Sequence, residues 1–304
     1  NGCGIWMSEY DLNSLYWKPA WCIAVNPNQC FQNPIIHLEN KILYLFYTSQ
    51  PGNGIDICQI NSHIERKISL DYGKTWSNPE IVIPKGTGCY LRHHVLVEHN
   101  KDNKDNNNTV WLLPVYYTPT VNLKEPNQLD NNQYSALLES SDKGITWNTR
   151  SIIPNSNNSN GIQGSMRYIP QTNDIIGVFR NRHYNAIKTT ISHDNGHTIE
   201  PLKEIDETLI SNDSGLSMIP LNDNSYAIFY NDVSNQSKEK RNNITMSVID
   251  INKNKIIETK RILDHKILGL EKPQRISYPS TVMVNGKIHC CYAFKRKTIG
   301  HITI

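Results

Sequence analysis

Apolar residues along the chain gather in short runs, each closed by Asn, Gly, Asp or Pro. The clearest are "NPIIHLENKILYLFYTSQ" (33–50), "TVWLLPVYYT" (109–118), "NDIIGVFRNR" (173–182), "NSYAIFYND" (224–232) and "GKIHCCYAF" (286–294). Runs rich in Ile, Val, Leu, Tyr and Phe between turn formers predict strands. No stretch keeps apolar residues at i, i+3, i+4 and i+7 through three helical turns, so no helix is predicted. Short strands broken by turns predict an all-β chain built as a sandwich, a barrel or a propeller.

A recurring octapeptide chooses among these. "SLDYGKTW" (69–76) returns as "SSDKGITW" (140–147) and "SHDNGHTI" (192–199). Ser and Asp side chains at this spacing bond backbone amides in a tight hairpin, and Gly supplies a positive φ. Weaker relatives begin at Ser8 ("SEYDLNSLYWKP") and Ser247 ("SVIDINKNKI"), so the series starts at 8, 69, 140, 192 and 247. One such hairpin in each four-stranded sheet is the spacing of a propeller.

These segments resemble the Asp boxes, or bacterial neuraminidase repeats, of the sialidase superfamily. The strings "LLPVYY", "FRNR" and "YND" are similar to those of its sialidase-like branch, and the likeness covers nearly the whole chain. It implies a six-bladed β-propeller of sialidase type, with residues 1–304 as a single propeller domain. Residues 1–33 supply two outer strands of a first blade and residues 278–304 three strands of the last. Six closed blades then need strands from before Asn1, an amino-terminal truncation; a five-bladed ring completed by the end strands is the alternative. In this family the Asp boxes mark the propeller rim, so Asp71, Asp142 and Asp194 are expected to be structural.

The resemblance also implies a chemistry. Sialidases hold the carboxylate of a terminal acidic sugar with three arginines, because a planar guanidinium offers paired charge-assisted bonds that lysine does not match. They attack the sugar with a tyrosine, an exception to the two-carboxylate pattern of most glycosidases. A glutamate activates the tyrosine and an aspartate serves as acid/base. Arg180 resembles the second arginine, with Arg182 on the same side of its strand as a competitor, and Arg241 resembles the third. Tyr278, in "RISYPSTVMVNGK", resembles the nucleophile. The activating glutamate falls on Gln163, which hydrogen-bonds a hydroxyl but takes no proton at neutral pH. The first arginine and the acid/base aspartate would precede Asn1. Arg92, in "YLRHHVLVEHN", stands where related propellers point an arginine or lysine toward the axis, and Arg92 and His93 are candidate substrate-binding residues; the adjacent His93 and His94 alternate faces and suit no shared metal, though one of them has the pKa range of an acid/base. The expected function is a retaining exo-glycosidase acting on a terminal acidic sugar. The alternative is an inactive propeller binding glycan or protein.

Composition adds bounds. The 304 residues are 38% hydrophobic and carry a formal net charge of +3, too balanced to point to nucleic acid or a membrane surface as partner. No apolar run is long enough for a transmembrane helix. No phosphate-binding, dinucleotide or zinc motif is present, so no cofactor and no metal are expected. The seven cysteines show no CxxC spacing; most are expected as buried free thiols, with a pairing such as Cys22–Cys30 open. Five N-x-S/T sequons, at Asn107, Asn157, Asn212, Asn235 and Asn243, permit a secreted or lumenal protein.

Overall fold

A computed structural model describes residues 3–52, 59–98, 109–118, 133–155, 161–170, 172–180, 185–211, 214–233 and 241–304. The regular elements of these residues are all β-strands, and none is an α-helix. The chain divides into two compact units, Asn1–Gln133 with Leu138–Asn148, and Tyr134–Leu137 with Thr149–Ile304.

The first unit opens with two ribbons. β1 (Ile5–Met7) pairs with β4 (Trp21–Ala24), and β2 (Tyr10–Asp11) pairs with β3 (Tyr16–Trp17). A four-stranded antiparallel sheet follows in chain order: β5 (Gln29–Glu39), β6 (Ile42–Pro51), β7 (His63–Ser69) and β8 (Glu80–Ile83). In the next sheet β9 (Cys89–Leu91) and β10 (Leu96–Glu98) both pair with β11 (Val110–Tyr117), and β12 (Tyr134–Ser140) and β13 (Asn148–Ile152) complete it.

In the second unit β14 (Ile162–Tyr168), β15 (Ile175–Arg180), β17 (Lys188–Ser192) and β18 (Lys203–Glu204) form one sheet, while β16 (Asn185–Ala186) pairs with β19 (Ile210–Ser211). β20 (Ser217–Asn222), β21 (Ser225–Tyr230), β22 (Ile244–Asp250) and β23 (Lys255–Leu263) form another sheet. β24 (Ile276–Val284), β25 (Lys287–Phe294) and β26 (Thr298–Thr303) form the last. The described residues thus hold five larger sheets with nearest-neighbour strand order, the order of propeller blades. Five, not six, is the number among the described residues; residues 5–24 contribute ribbons, and the last sheet has the three strands expected.

Cores form where sheet faces meet. In the first unit Ile5, Ile23 and Ala24 of the opening ribbon pack on Phe31, Leu45 and Tyr47. In the second unit Ile219, Phe229 and Ile244 pack on Ile276, Ile288 and Tyr292. Burying each such large side chain contributes about 2–3 kcal/mol before ordering entropy is charged.

The three strong Asp boxes repeat one bonding scheme. In the first, the Gly73 N–H donates to Ser69 Oγ at 2.8 Å, Ser69 Oγ donates to Asp71 Oδ1 at 2.8 Å, and the Thr75 hydroxyl donates to Asp71 Oδ2 at 2.6 Å. The boxes at 140 and 192 match each of these distances within about 0.1 Å. The residue before each glycine also takes a positive φ: Tyr72 at 59°, Lys143 at 60° and Asn195 at 57°. A Cβ on Gly144 would stand 2.6 Å from Cζ of Phe46, so space as well as φ selects glycine there. The two weaker relatives keep the hairpin but not the code. Asp11 accepts from the Asn13 amide, and Ser247 bonds the hydroxyls of Tyr230 and Thr259 instead of an aspartate.

These boxes make stability sensitive to acid. The Thr75 hydroxyl and amide hold the Asp71 carboxyl at about 2. At Asp142 burial pushes upward, and the Thr146 hydroxyl and amide outweigh it to leave about 2. A carboxyl depressed in the folded state stabilises above its unfolded pKa near 4, and that contribution is lost as pH falls toward the folded value. The melting temperature is therefore expected to fall between about pH 4 and about pH 2. In an Asp71→Asn, Asp142→Asn double variant the fall should be visibly shallower, with the loss already present at neutral pH. Thermal unfolding followed by circular dichroism across that window checks it, and an identical slope in both proteins refutes it.

Candidate functional site

The first strands of three sheets carry the same irregularity. Gln32 pairs with Thr48 and Ile35 with Phe46, leaving Asn33 and Pro34 opposite Tyr47 alone. Gln163 and Gly164 stand likewise opposite Phe179, and Tyr278 and Pro279 opposite Tyr292. Each is a bulge whose first residue lies in the left-handed region, with φ of 51° at Asn33, 51° at Gln163 and 57° at Tyr278. Glycine is the ordinary occupant of such a position. Glutamine and tyrosine there cost about 1–2 kcal/mol each. A bulge breaks the strand's alternation and re-aims its side chain, and the two residues held this way in the second unit are the two that the family resemblance implies for the reaction centre.

Arg180 ends β15, with its Cα opposite Ile162. It is 5% exposed, so it is a core arginine and not a solvated strand residue. Its Nε donates to Gln163 Oε1 at 2.8 Å. That bond fixes the amide: with the carbonyl oxygen turned to Arg180, the other end of Gln163 presents an NH₂ donor and no acceptor.

Arg241 reaches Tyr278 because two strand starts are stitched together. The Ile276 N–H donates to the Arg241 carbonyl at 2.7 Å, and Asn242 bridges to Ile276 in parallel. Asn231, of the "YND" string, clamps this junction from below: its buried amide donates to the carbonyls of Ile276 and Asn243. Asn243 in turn exchanges bonds with Asp232, donating to its carbonyl at 2.9 Å and accepting from its N–H at 3.0 Å. The outcome is that Arg241 Nη1 donates to the Tyr278 hydroxyl oxygen at 3.1 Å, with the guanidinium carbon 5.4 Å from the centre of the phenol ring. β14, β20 and β24 lie in sequence beside one another. The Met218 N–H donates to Ser165 Oγ at 3.1 Å and the Thr281 N–H to Ser217 Oγ at 3.2 Å.

Two residues here escaped sequence reasoning. Arg275, three positions before Tyr278, has a buried Nε with no hydrogen-bond partner. Burial, and then the charges of Arg241 and Arg296, push its guanidinium below the usual arginine range, while Tyr278 opposes the shift. An arginine close behind the candidate tyrosine was the available signal. Asn231 was visible only as part of a familiar string, and its role as a clamp needs the fold.

Four of the expected residues therefore lie in the second unit as two bonded pairs, Arg180 with Gln163 and Arg241 with Tyr278. Arg92 and His93 lie in the first unit, between β9 and β10, where Arg92–Val95 face only Leu113 and Pro114. This interruption has no left-handed residue, unlike the three bulges, and His93 is buried. Arg182 falls outside the described residues, as do the sequons at Asn107, Asn157, Asn212 and Asn235. Asn243 is fully buried and committed to Asp232, so that sequon does not suit a glycan. Among the described cysteines only Cys89 and Cys290 are buried, fewer than expected; Cys3 and Cys22 are exposed. The described residues contain no group of three His, Cys, Asp or Glu that could hold a metal ion.

A family model described as "BNR repeat-like domain" matches residues 2–290. The chain belongs to this family. By sequence, no curated protein matches it. By structure, this BNR repeat-like chain is similar to the Hadza microbial sialidase Hz136, at 12% identity and a TM-score of 0.71, covering 99% of this chain and 59% of that one. It is also similar to a K499G mutant of the NanB sialidase from Streptococcus pneumoniae, at 13% identity and a TM-score of 0.67, covering 95% and 60%. A protein of unknown function from Dyadobacter fermentans is similar at 16% identity and a TM-score of 0.67, covering 92% and 76%. The BNR repeat-like chain thus has a sialidase-type propeller fold and spans about three fifths of the two sialidases.

Proposed function

We propose that this chain is a sialidase-like glycoside hydrolase that takes a terminal acidic sugar, with Arg180, Arg241 and Arg275 facing the carboxylate and Tyr278 the anomeric carbon. The observation that carries the reading is the 3.1 Å bond from Arg241 to the Tyr278 oxygen. A guanidinium donating to that oxygen favours the phenolate form, and a phenol starting neutral approaches an anionic sugar without the repulsion a carboxylate would meet. Attack by the phenol oxygen would form a bond to the anomeric carbon as the glycosidic bond breaks, its proton passing through solvent to the leaving oxygen. Water would then release the sugar with retained configuration.

A second reading, a propeller that binds the acidic sugar without cleaving it, is favoured by Gln163. Its oxygen is committed to Arg180, and an amide accepts no proton from the phenol. One set of measurements separates the readings. Hydrolysis of a fluorogenic sialoside is expected for the native chain and is expected to vanish in Tyr278→Phe. Calorimetric titration with free sialic acid is expected to show affinity about 100-fold weaker in Arg241→Ala and about tenfold weaker in Arg241→Lys, since lysine loses the paired geometry. Binding without hydrolysis selects the second reading. Affinity unchanged in Arg241→Ala overturns both.

A further inference from the structure

We propose that Cys3 and Cys30 form a disulfide when the folded chain meets a small-molecule disulfide such as oxidised glutathione. The two residues are directly paired in a parallel β-bridge, and the Phe31 N–H donates to the Cys3 carbonyl at 3.0 Å. Neighbouring strands run about 4.8 Å apart, and a disulfide spans Cα atoms roughly 4.4–6.8 Å apart. Residues paired across such a bridge project to one face, so the backbone already meets the requirement. Both thiols are free in this structure, and Cys3 joins burial in pushing the Cys30 thiol upward. Cys3 is exposed and Cys30 partly so, which gives an oxidant access.

Cys22 is the competing partner, and geometry disfavours it. Its Sγ lies 3.5 Å from where a Cβ on Gly4 would sit, and it bonds the Ala24 carbonyl at 3.6 Å. Gly4 is the neighbour of Cys3, and adjacent residues of an extended segment project to opposite faces. The pairing that primary structure left open, Cys22–Cys30, is therefore replaced by Cys3–Cys30.

The chemistry balances through two exchanges. One protein thiolate attacks glutathione disulfide, forming a mixed disulfide and releasing one glutathione. The second thiolate displaces the other glutathione and closes the Cys3–Cys30 bond. Two thiol protons and two electrons thus leave on two molecules of reduced glutathione. The link would tie the start of the chain to β5 across the ribbon of β1 and β4, whose Ile5, Ile23 and Ala24 pack on Phe31 and Tyr47.

The test incubates the full chain with oxidised glutathione, blocks remaining thiols under denaturing conditions and maps peptides without reduction. The expected product is a crosslinked peptide pair holding Cys3 and Cys30, lighter by ~2 Da than the two thiol peptides. It should persist in Cys22→Ser and disappear in Cys3→Ser. A reductant should then lower the melting temperature of the oxidised native chain by about 5 °C or more and leave Cys3→Ser unmoved. Blocked, uncrosslinked Cys3 and Cys30, or a dominant link to Cys22, overturns the proposal.

Discussion

Changing Gln163 to glutamate is expected to raise turnover of a fluorogenic sialoside by about 100-fold, with little change in KM. The side chains match in length, so the bulge that aims Gln163 persists. What changes is the atom presented away from Arg180. The native amide offers an NH₂ there, because Arg180 Nε holds its oxygen at 2.8 Å. A carboxylate keeps that bond with one oxygen and offers the second as a proton acceptor. General-base assistance of this kind contributes roughly 10²–10⁴-fold, and pairing with Arg180 makes the base weaker, which places the expected gain at the low end. The double variant Gln163→Glu, Tyr278→Phe should lose the gain entirely. A gain that survives loss of the phenol would show that Gln163 does not act through Tyr278. No gain at all would remove Gln163 from the base position.

Gly164→Ala is expected to destabilise the chain by about 3 kcal/mol, through overpacking alone. A Cβ at Gly164 would stand 2.1 Å from Cε1 of Phe179 and 2.6 Å from two further ring atoms. Phe179 is 1% exposed, so the ring has nowhere to turn. It also stands directly opposite the Gln163–Gly164 bulge, so the strain falls on the backbone that aims Gln163. Urea denaturation should show a lower midpoint, and sialic acid binding should fall with it. Adding Phe179→Leu should restore part of the stability, because shared strain makes the two changes non-additive. A midpoint equal to that of the native chain would mean that the close approach of ring and backbone is absent.

Much of the fold was legible because its code is local. The boxes at Ser69, Ser140 and Ser192 close over four residues with side-chain bonds to their own backbone, so each copy carries its geometry with it. The relatives at Ser8 and Ser247 mark hairpins as expected but lack the full code. They share letters with the code, but Ser247 is drawn to Tyr230 and Thr259, which local sequence does not reveal. The candidate site was half legible. Arg180, Arg241, Tyr278 and Gln163 are expected from motif order, yet their bonded pairing depends on which strand starts lie together. Arg275 looked like any loop arginine until the turn of Arg241 and the hairpin at Arg296 were brought beside it. Asn231 clamps carbonyls 12 and 45 residues away, a contact with no trace in linear spacing.

The sequence by itself determined the strands and the hairpins that close three sheets, and it named Arg180, Arg241, Tyr278 and Gln163 as candidates. Alternation and turn chemistry act between near neighbours, so the linear order suffices for them. Only the tertiary structure decided the left-handed backbone at Gln163 and Tyr278, the contact of Arg241 with the phenol and the neighbour of Cys30. Each depends on the register between strands distant in the chain, and register is set by how many residues face each other across the sheet, not by the residues' own preferences.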